Sequence, residues 1–136
     1  MTSVEEVYRA YNEAENSHDL RRTRALVSEE LAVTVNGVPS LGSAADDERA
    51  TAVLLQAYPD YRRELVEVLG VGGRGFARWR MRGTPAAGQE ELGELDVHGC
   101  SVVTVADGRI VAADLYVDST AVSVLLERAR AEEEAS

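Results

Sequence analysis

The sequence predicts an α+β fold in which a curved, mostly antiparallel sheet packs on three N-terminal helices, with one further helix at the C-terminal end. Three observations predict it. Apolar residues recur at the helical period as far as Pro59, and from Tyr61 onward the period becomes two. Gly72-Gly73, the Gly83–Gly88 loop and Asp107-Gly108 cut the second half into strand-length pieces, Asp107-Gly108 being the strongest hairpin signal. The chain has 136 residues, enough for one shared core and not for two, so residues 1–136 read as a single domain. Helices followed by a meander imply a sheet that curls round the helices.

Val4, Val7, Tyr8 and Tyr11 share one helical face and make the first helix. Ser17-His18-Asp19 offers caps for a short second helix through Leu20, Leu26 and Val27, which gives His18 capping or surface duty. Leu31–Val35 is β-branched and extended, closed by Asn36-Gly37 and Pro39. Ser43 to Tyr58 is the third helix, with caps and acids at its start and Pro59 ending it. Tyr61–Val71, Phe76–Arg82, Leu92–Val105 and Ile110–Asp118 then read as successive antiparallel strands. Ser119 or Thr120 caps a last helix bearing Val122, Leu125 and Leu126, whose end, residues 132–136, reads as a frayed and solvated tail.

Composition excludes several chemistries. All 14 basic residues are arginine, so lysine Schiff-base catalysis and a phosphate-loop lysine are absent. Cys100 is the only cysteine, which excludes an internal disulfide and a thiolate cluster. His18 and His98 lie far apart with no metal-ligand spacing, so no metal site is expected. The Gly70–Gly75 stretch precedes a strand pattern and reads as a strand-to-strand turn, not a nucleotide loop. A net charge of −10 argues against nucleic-acid and anionic-membrane partners. With no apolar run of membrane-spanning length and no leader pattern, a cytoplasmic location is expected.

In the last strand Val111, Ala113, Leu115 and Val117 alternate with Ala112, Asp114, Tyr116 and Asp118. Either the apolar set fills the core and the acids face solvent, or an acid lines a cavity where desolvation raises its pKa. The register of the final hairpin decides the neighbours. A tight two-residue turn sets His98 across from Val117 and Ser101 across from Asp114. One extra bulged residue sets His98 across from Asp118 and Cys100 across from Tyr116. A His–Asp pair would be either an acid/base dyad or a structural pair on the outer face. Ala77, Trp79 and Met81 share one face of their strand against a row of arginines. Tyr11, Tyr58 and Trp79 are the candidates for holding a flat aromatic ligand.

Ala57-Tyr58-Pro59-Asp60, Ala77 to Thr84 (ARWRMRGT), Asp107-Gly108-Arg109-Ile110-Val111 and Tyr116-Val117-Asp118 resemble, in order and across about Val4 to Leu126, the SnoaL-like polyketide cyclases of the NTF2-like group. The resemblance implies a cone-shaped α+β barrel, a homodimer and a small hydrophobic or aromatic ligand. It also implies a cofactor-independent tailoring enzyme of bacterial secondary metabolism, as in antibiotic biosynthesis, either an aldol-type cyclase or a hydroxylase aided by a partner reductase. A sequestering protein with the same pocket is the alternative. The cyclases of this family carry an acid/base aspartate seven residues after the turn glycine and a supporting histidine seven before it. Here those places hold Leu115 and Ser101, and a one-residue register change gives the acid's place to Asp114. Asp114 or Asp118 would then be the base, with His98 or Tyr116 as donor, and Ser101 and Leu115 would touch the substrate.

Overall fold

A computed structural model describes residues 3–117 and 120–135. Helix α1 (Val4–Asn16) begins where Ser3 Oγ accepts the Glu6 N–H, and buries Val4, Val7 and Tyr8. Helix α2 (Leu20–Ala25) is capped by Asp19, which accepts from Arg22 N–H. It stops before Val27, expected within it. Val27 instead opens strand β1 (Val27–Val35), because β6 captures it: Ile110 N–H donates to Leu26 O and Val27 pairs with Ile110. A non-local strand partner here overrides a helical pattern too short to hold itself.

Asn36 and Gly37, with φ of 51° and 82°, turn β1 into β2 (Val38–Leu41). Asn36-Gly37 and Pro39 are expected to end a strand. They are a hairpin, and Pro39 is tolerated because β2 is an edge strand. Helix α3 (Ala44–Ala57) follows, its Ser43 cap accepting from Asp46 N–H. Strands β3 (Arg62–Val71) and β4 (Arg74–Gly83) meet at Gly72-Gly73. A 3-10 turn at Glu90–Leu92 takes Leu92, expected to begin the next strand, and β5 runs Leu95–Ala106. Asp107 and Gly108, both at positive φ, turn it into β6 (Arg109–Val117). Helix α4 (Thr120–Ala135) contains the acidic tail through Ala135, with residues 131–135 exposed. Asp118 and Ser119 lie outside the described residues, as does the side chain of Val122.

The sheet order is β2-β1-β6-β5-β4-β3, antiparallel except for the parallel pair of β1 and β6. The sheet is curved but has two free edges, β2 and β3, so it is not the closed barrel expected. The core lies between its concave face and the helices. Trp79, Tyr58, Tyr61 and Leu31 are among its largest fully buried side chains. The arginine row of β4 faces outward, where Arg78 pairs with Glu67 and Arg80 with Asp96. No helix among the described residues is long and apolar enough to cross a membrane.

Candidate functional site

The concave face and the helices enclose a cavity of about 150 Å³ with mostly apolar walls. Its floor comes from alternate residues of the central strands, including Val33, Ala113, Leu115 and Val117. A bulge decides which residues of β6 these are. Val105 pairs with Ile110 and Thr104 with Ala112, which leaves Val111 as an extra residue on β6. Ile110 lines the cavity before the bulge, and Ala113, Leu115 and Val117 line it afterwards. Unbroken alternation from Ile110 through Val111 would instead turn Asp114 and Tyr116 inward.

The bulge therefore realises the second of the two hairpin registers, with Cys100 across from Tyr116 and Ser101 across from Leu115. Asp114 faces away from the cavity and accepts from Thr34 Oγ at 2.7 Å, tying β6 to β1. Tyr116 is 48% exposed on that same outer face. His98 is exposed beside its β4 partner Arg80. None of these three joins the cavity, and Asp118 lies outside the described residues. Tyr58 is fully buried, but its hydroxyl donates to Gly93 O rather than facing the cavity. Tyr11, Trp79, Ser101 and Leu115 do line it.

The charged groups of the cavity, Asp47, Glu15 and Arg63, are not among the candidates the sequence offers. Asp47 of α3 accepts from the Tyr11 hydroxyl of α1 at 2.8 Å. Arg63 of β3 donates through Nη2 to Glu15 Oε2 at 2.8 Å and through Nε to Asn12 Oδ1 at 2.9 Å. Tyr61 donates to the other Glu15 oxygen at 3.0 Å. The Arg63 guanidinium lies 5.6 Å from the Tyr8 ring centre, 5.9 Å from that of Tyr11 and 5.7 Å from that of Trp79. Ser101 Oγ accepts from Trp79 Nε1 at 2.9 Å and lies 3.4 Å from the Tyr8 hydroxyl.

A signal for these residues exists in the sequence. Asp47 continues the buried face of α3 that carries Ala44, Thr51 and Leu54, and Asn12 and Glu15 continue the face of Tyr8. Arg63 alternates in phase with Tyr61, both buried. A charge in phase with an apolar stripe is unusual, because ionised side chains are almost never buried unpaired.

Burial drives the electrostatics. Desolvation lifts the Asp47 carboxyl from 3.8 to about 6, against the lowering effect of the Tyr11 hydrogen bond. Tyr11 is pushed well above the ordinary phenol value by burial and by the neighbouring Asp47. Burial by itself would lower Arg63, but Glu15 and the surrounding tyrosine hydroxyls more than offset it and keep the guanidinium charged. At neutral pH the cavity thus holds a neutralised ion pair, a phenol donor and one carboxyl able to lose and regain a proton. No three His, Cys, Asp or Glu side chains among the described residues are grouped to hold a metal ion.

The family of SnoaL-like domains matches residues 8–113, and the chain belongs to that family. An NTF2-like protein of unknown function from Cytophaga hutchinsonii superposes with a TM-score of 0.68 at 7% identity, over 87% of this chain and 92% of the other. A candidate polyketide cyclase from Bacillus cereus gives 0.70 at 16% identity, over 90% and 78%. A candidate hydroxylase from Streptomyces galilaeus gives 0.72 at 17% identity, over 91% and 80%. These three likenesses establish a shared NTF2-like fold. No curated protein matches the sequence.

Proposed function

We propose that this protein is a cofactor-independent tailoring enzyme that moves protons on a small, flat, largely apolar molecule of aromatic polyketide type. Asp47 is the general base and acid, and Tyr11 is the hydroxyl that orients it. The observation that carries the reading is the Asp47–Tyr11 pair on the wall of an otherwise apolar cavity, its carboxyl lifted to about 6. A base is most effective when its pKa lies near the working pH, because it is then both ionised and basic. The aromatic rings of Tyr8, Tyr11 and Trp79 on the same wall suit a planar ligand.

In the cyclase branch Asp47 removes a proton alpha to a carbonyl, and the enolate so formed adds to a second carbonyl of the same molecule. In the hydroxylase branch the same carboxylate ionises an electron-rich substrate before oxygen chemistry. Leu115, standing where related cyclases carry aspartate, favours a second reading in which the cavity binds without turnover.

Solvent-deuterium exchange separates the readings. With an enolisable aryl ketone such as acetophenone, proton NMR should show catalysed exchange at the α-carbon whose rate rises with pH and levels off above about 6. Asp47→Asn should slow that exchange by about 100-fold or more. Equal exchange by the wild type and the variant would remove Asp47 from the chemistry. No exchange by either, with the ketone bound, would leave the binding protein.

A further inference from the structure

Arg63 keeps one donor group unused by the protein. A guanidinium carries five N–H donors on three nitrogens. Nε and Nη2 are taken by Asn12 and Glu15, and Nη1 hydrogen-bonds to no described residue. Yet among the described residues no buried side-chain nitrogen or oxygen lacks a partner. Nη1 is therefore within reach of a small molecule. Arg63 is only 7% exposed and is among the residues that line the cavity, so a ligand held there lies against its side chain. The rings of Tyr8, Tyr11 and Trp79 surround the cation, which leaves an oxygen atom to approach it through the cavity. In so apolar an enclosure an oxygen aimed at an arginine nitrogen gains a charge-assisted hydrogen bond.

Charge then selects the kind of oxygen. Glu15 already balances Arg63, and Asp47 stands on the same cavity. Asp47 is faced by Tyr11 and Glu15 from α1 and by Arg63 from β3, with Glu48 beside it on α3. A ligand that arrives as an anion meets the ionised Asp47, whereas a neutral carbonyl does not. If Asp47 then takes a proton from the ligand, the negative charge passes to the ligand oxygen and the net charge of the cavity is unchanged.

We infer that Nη1 of Arg63 anchors the carbonyl oxygen of a neutral, enolisable aryl ketone held with its α-carbon toward Asp47, an assignment that rests on Asp47 acting as the base proposed above. In the proton transfer the α C–H bond breaks and its electron pair becomes the carbon–carbon π bond. The carbonyl π pair moves onto the oxygen at Arg63, and the proton goes to the Asp47 carboxylate. Reversal, or addition of the enolate to a second carbonyl, returns the carboxyl to its starting state.

The test uses the full chain and the fluorescence of Trp79, its single tryptophan. The probes are acetophenone for the neutral ketone, benzoate as a fixed anion and toluene as a ligand without oxygen. Benzoate should bind about 25-fold more weakly at about pH 7.5 than at about pH 5.5, because it requires Asp47 protonated. Acetophenone and toluene should show no such dependence, and Asp47→Asn should abolish it for benzoate. In a double variant, Glu15→Gln with Arg63→Met, toluene should bind as before, and acetophenone and benzoate should each lose about tenfold or more.

Benzoate affinity that is flat with pH in the wild type overturns the assignment, whether or not the double variant folds. So does a double variant that binds all three probes as the wild type does. The exchange of α-protons by wild-type protein reports separately on Asp47 as the base, so the anchor can fail while the base survives.

Discussion

Replacing Asp47 with asparagine should make the protein more stable at the pH where the wild type is most active. The carboxyl titrates at 3.8 when unfolded and at about 6 when folded, since burial disfavours its charge. A carboxyl whose folded pKa is raised binds its proton more tightly in the native state, so its contribution to stability is complete below pH 3.8 and is lost as pH climbs to about 6. Above that the ionised side chain costs about 3 kcal/mol, at about 1.4 kcal/mol per pH unit of displacement. Asparagine carries no charge at any pH. Its Oδ1 can still accept from the Tyr11 hydroxyl, so it stands in for the neutral carboxyl. The net gain at pH 8 is about 3 kcal/mol, or about 10 °C in Tm for a chain of this length. It should shrink toward zero below about pH 4. Urea unfolding of both proteins at about pH 4.5, 6 and 8 measures this directly. A variant no more stable than the wild type at pH 8, or a difference that does not grow with pH, would refute the argument that burial strains this carboxyl.

Glu15→Ala leaves the buried Arg63 guanidinium without its carboxylate and should cost about 3–5 kcal/mol by urea unfolding, while Glu15→Gln, which keeps the Tyr61 and Arg63 contacts, should cost less. In Gly99→Ala the new Cβ would come within 2.5 Å of Trp79 Cη2, so the indole must move; about 1–3 kcal/mol of stability and a shifted tryptophan emission are expected. Ser101→Ala removes the acceptor of the buried Trp79 N–H and should destabilise by about 1–3 kcal/mol, with thermal melts as the measurement.

The fold was legible in the sequence wherever a local period ran long enough to be counted. The stripe of α1, the alternation of β4 and the Asp107-Gly108 turn each specify their element without help from elsewhere. Val27 is not legible locally because its conformation is set by Ile110, far along the chain, and no local pattern carries that pairing. The site was less legible for two separate reasons. Alternation alone divides the last strand into an apolar face with Ala113, Leu115 and Val117 and a polar face with Asp114 and Tyr116, and the bulge at Val111, which no local pattern announces, fixes the register that decides their neighbours. Asp47, Glu15 and Arg63 were hidden in plain view: each keeps the phase of a buried stripe, yet in a sequence with 24 acidic residues a single carboxylate looks like surface. Counting charges by their phase on the helix, rather than by their number, would have brought out Asp47 and Glu15.

The parallel seam between β1 and β6 also governs how the molecule assembles. The two strands are joined by the Thr34–Asp114 hydrogen bond, across 80 positions of chain, and by Asn36, whose side-chain amide exchanges both hydrogen bonds with the backbone of Val117. The other four strand pairs are hairpins or near neighbours in sequence and can form early. The seam must close a long loop before it returns any contact energy, which makes it the entropically slow step. Until β6 arrives, β1 presents a bare edge of backbone donors and acceptors to any other strand in reach. The cavity floor is drawn from both sides of this seam, Val33 from one and Leu115 from the other. The pocket thus comes into being only with the last long-range pairing, and a partly folded chain offers a sticky edge before it offers a binding site.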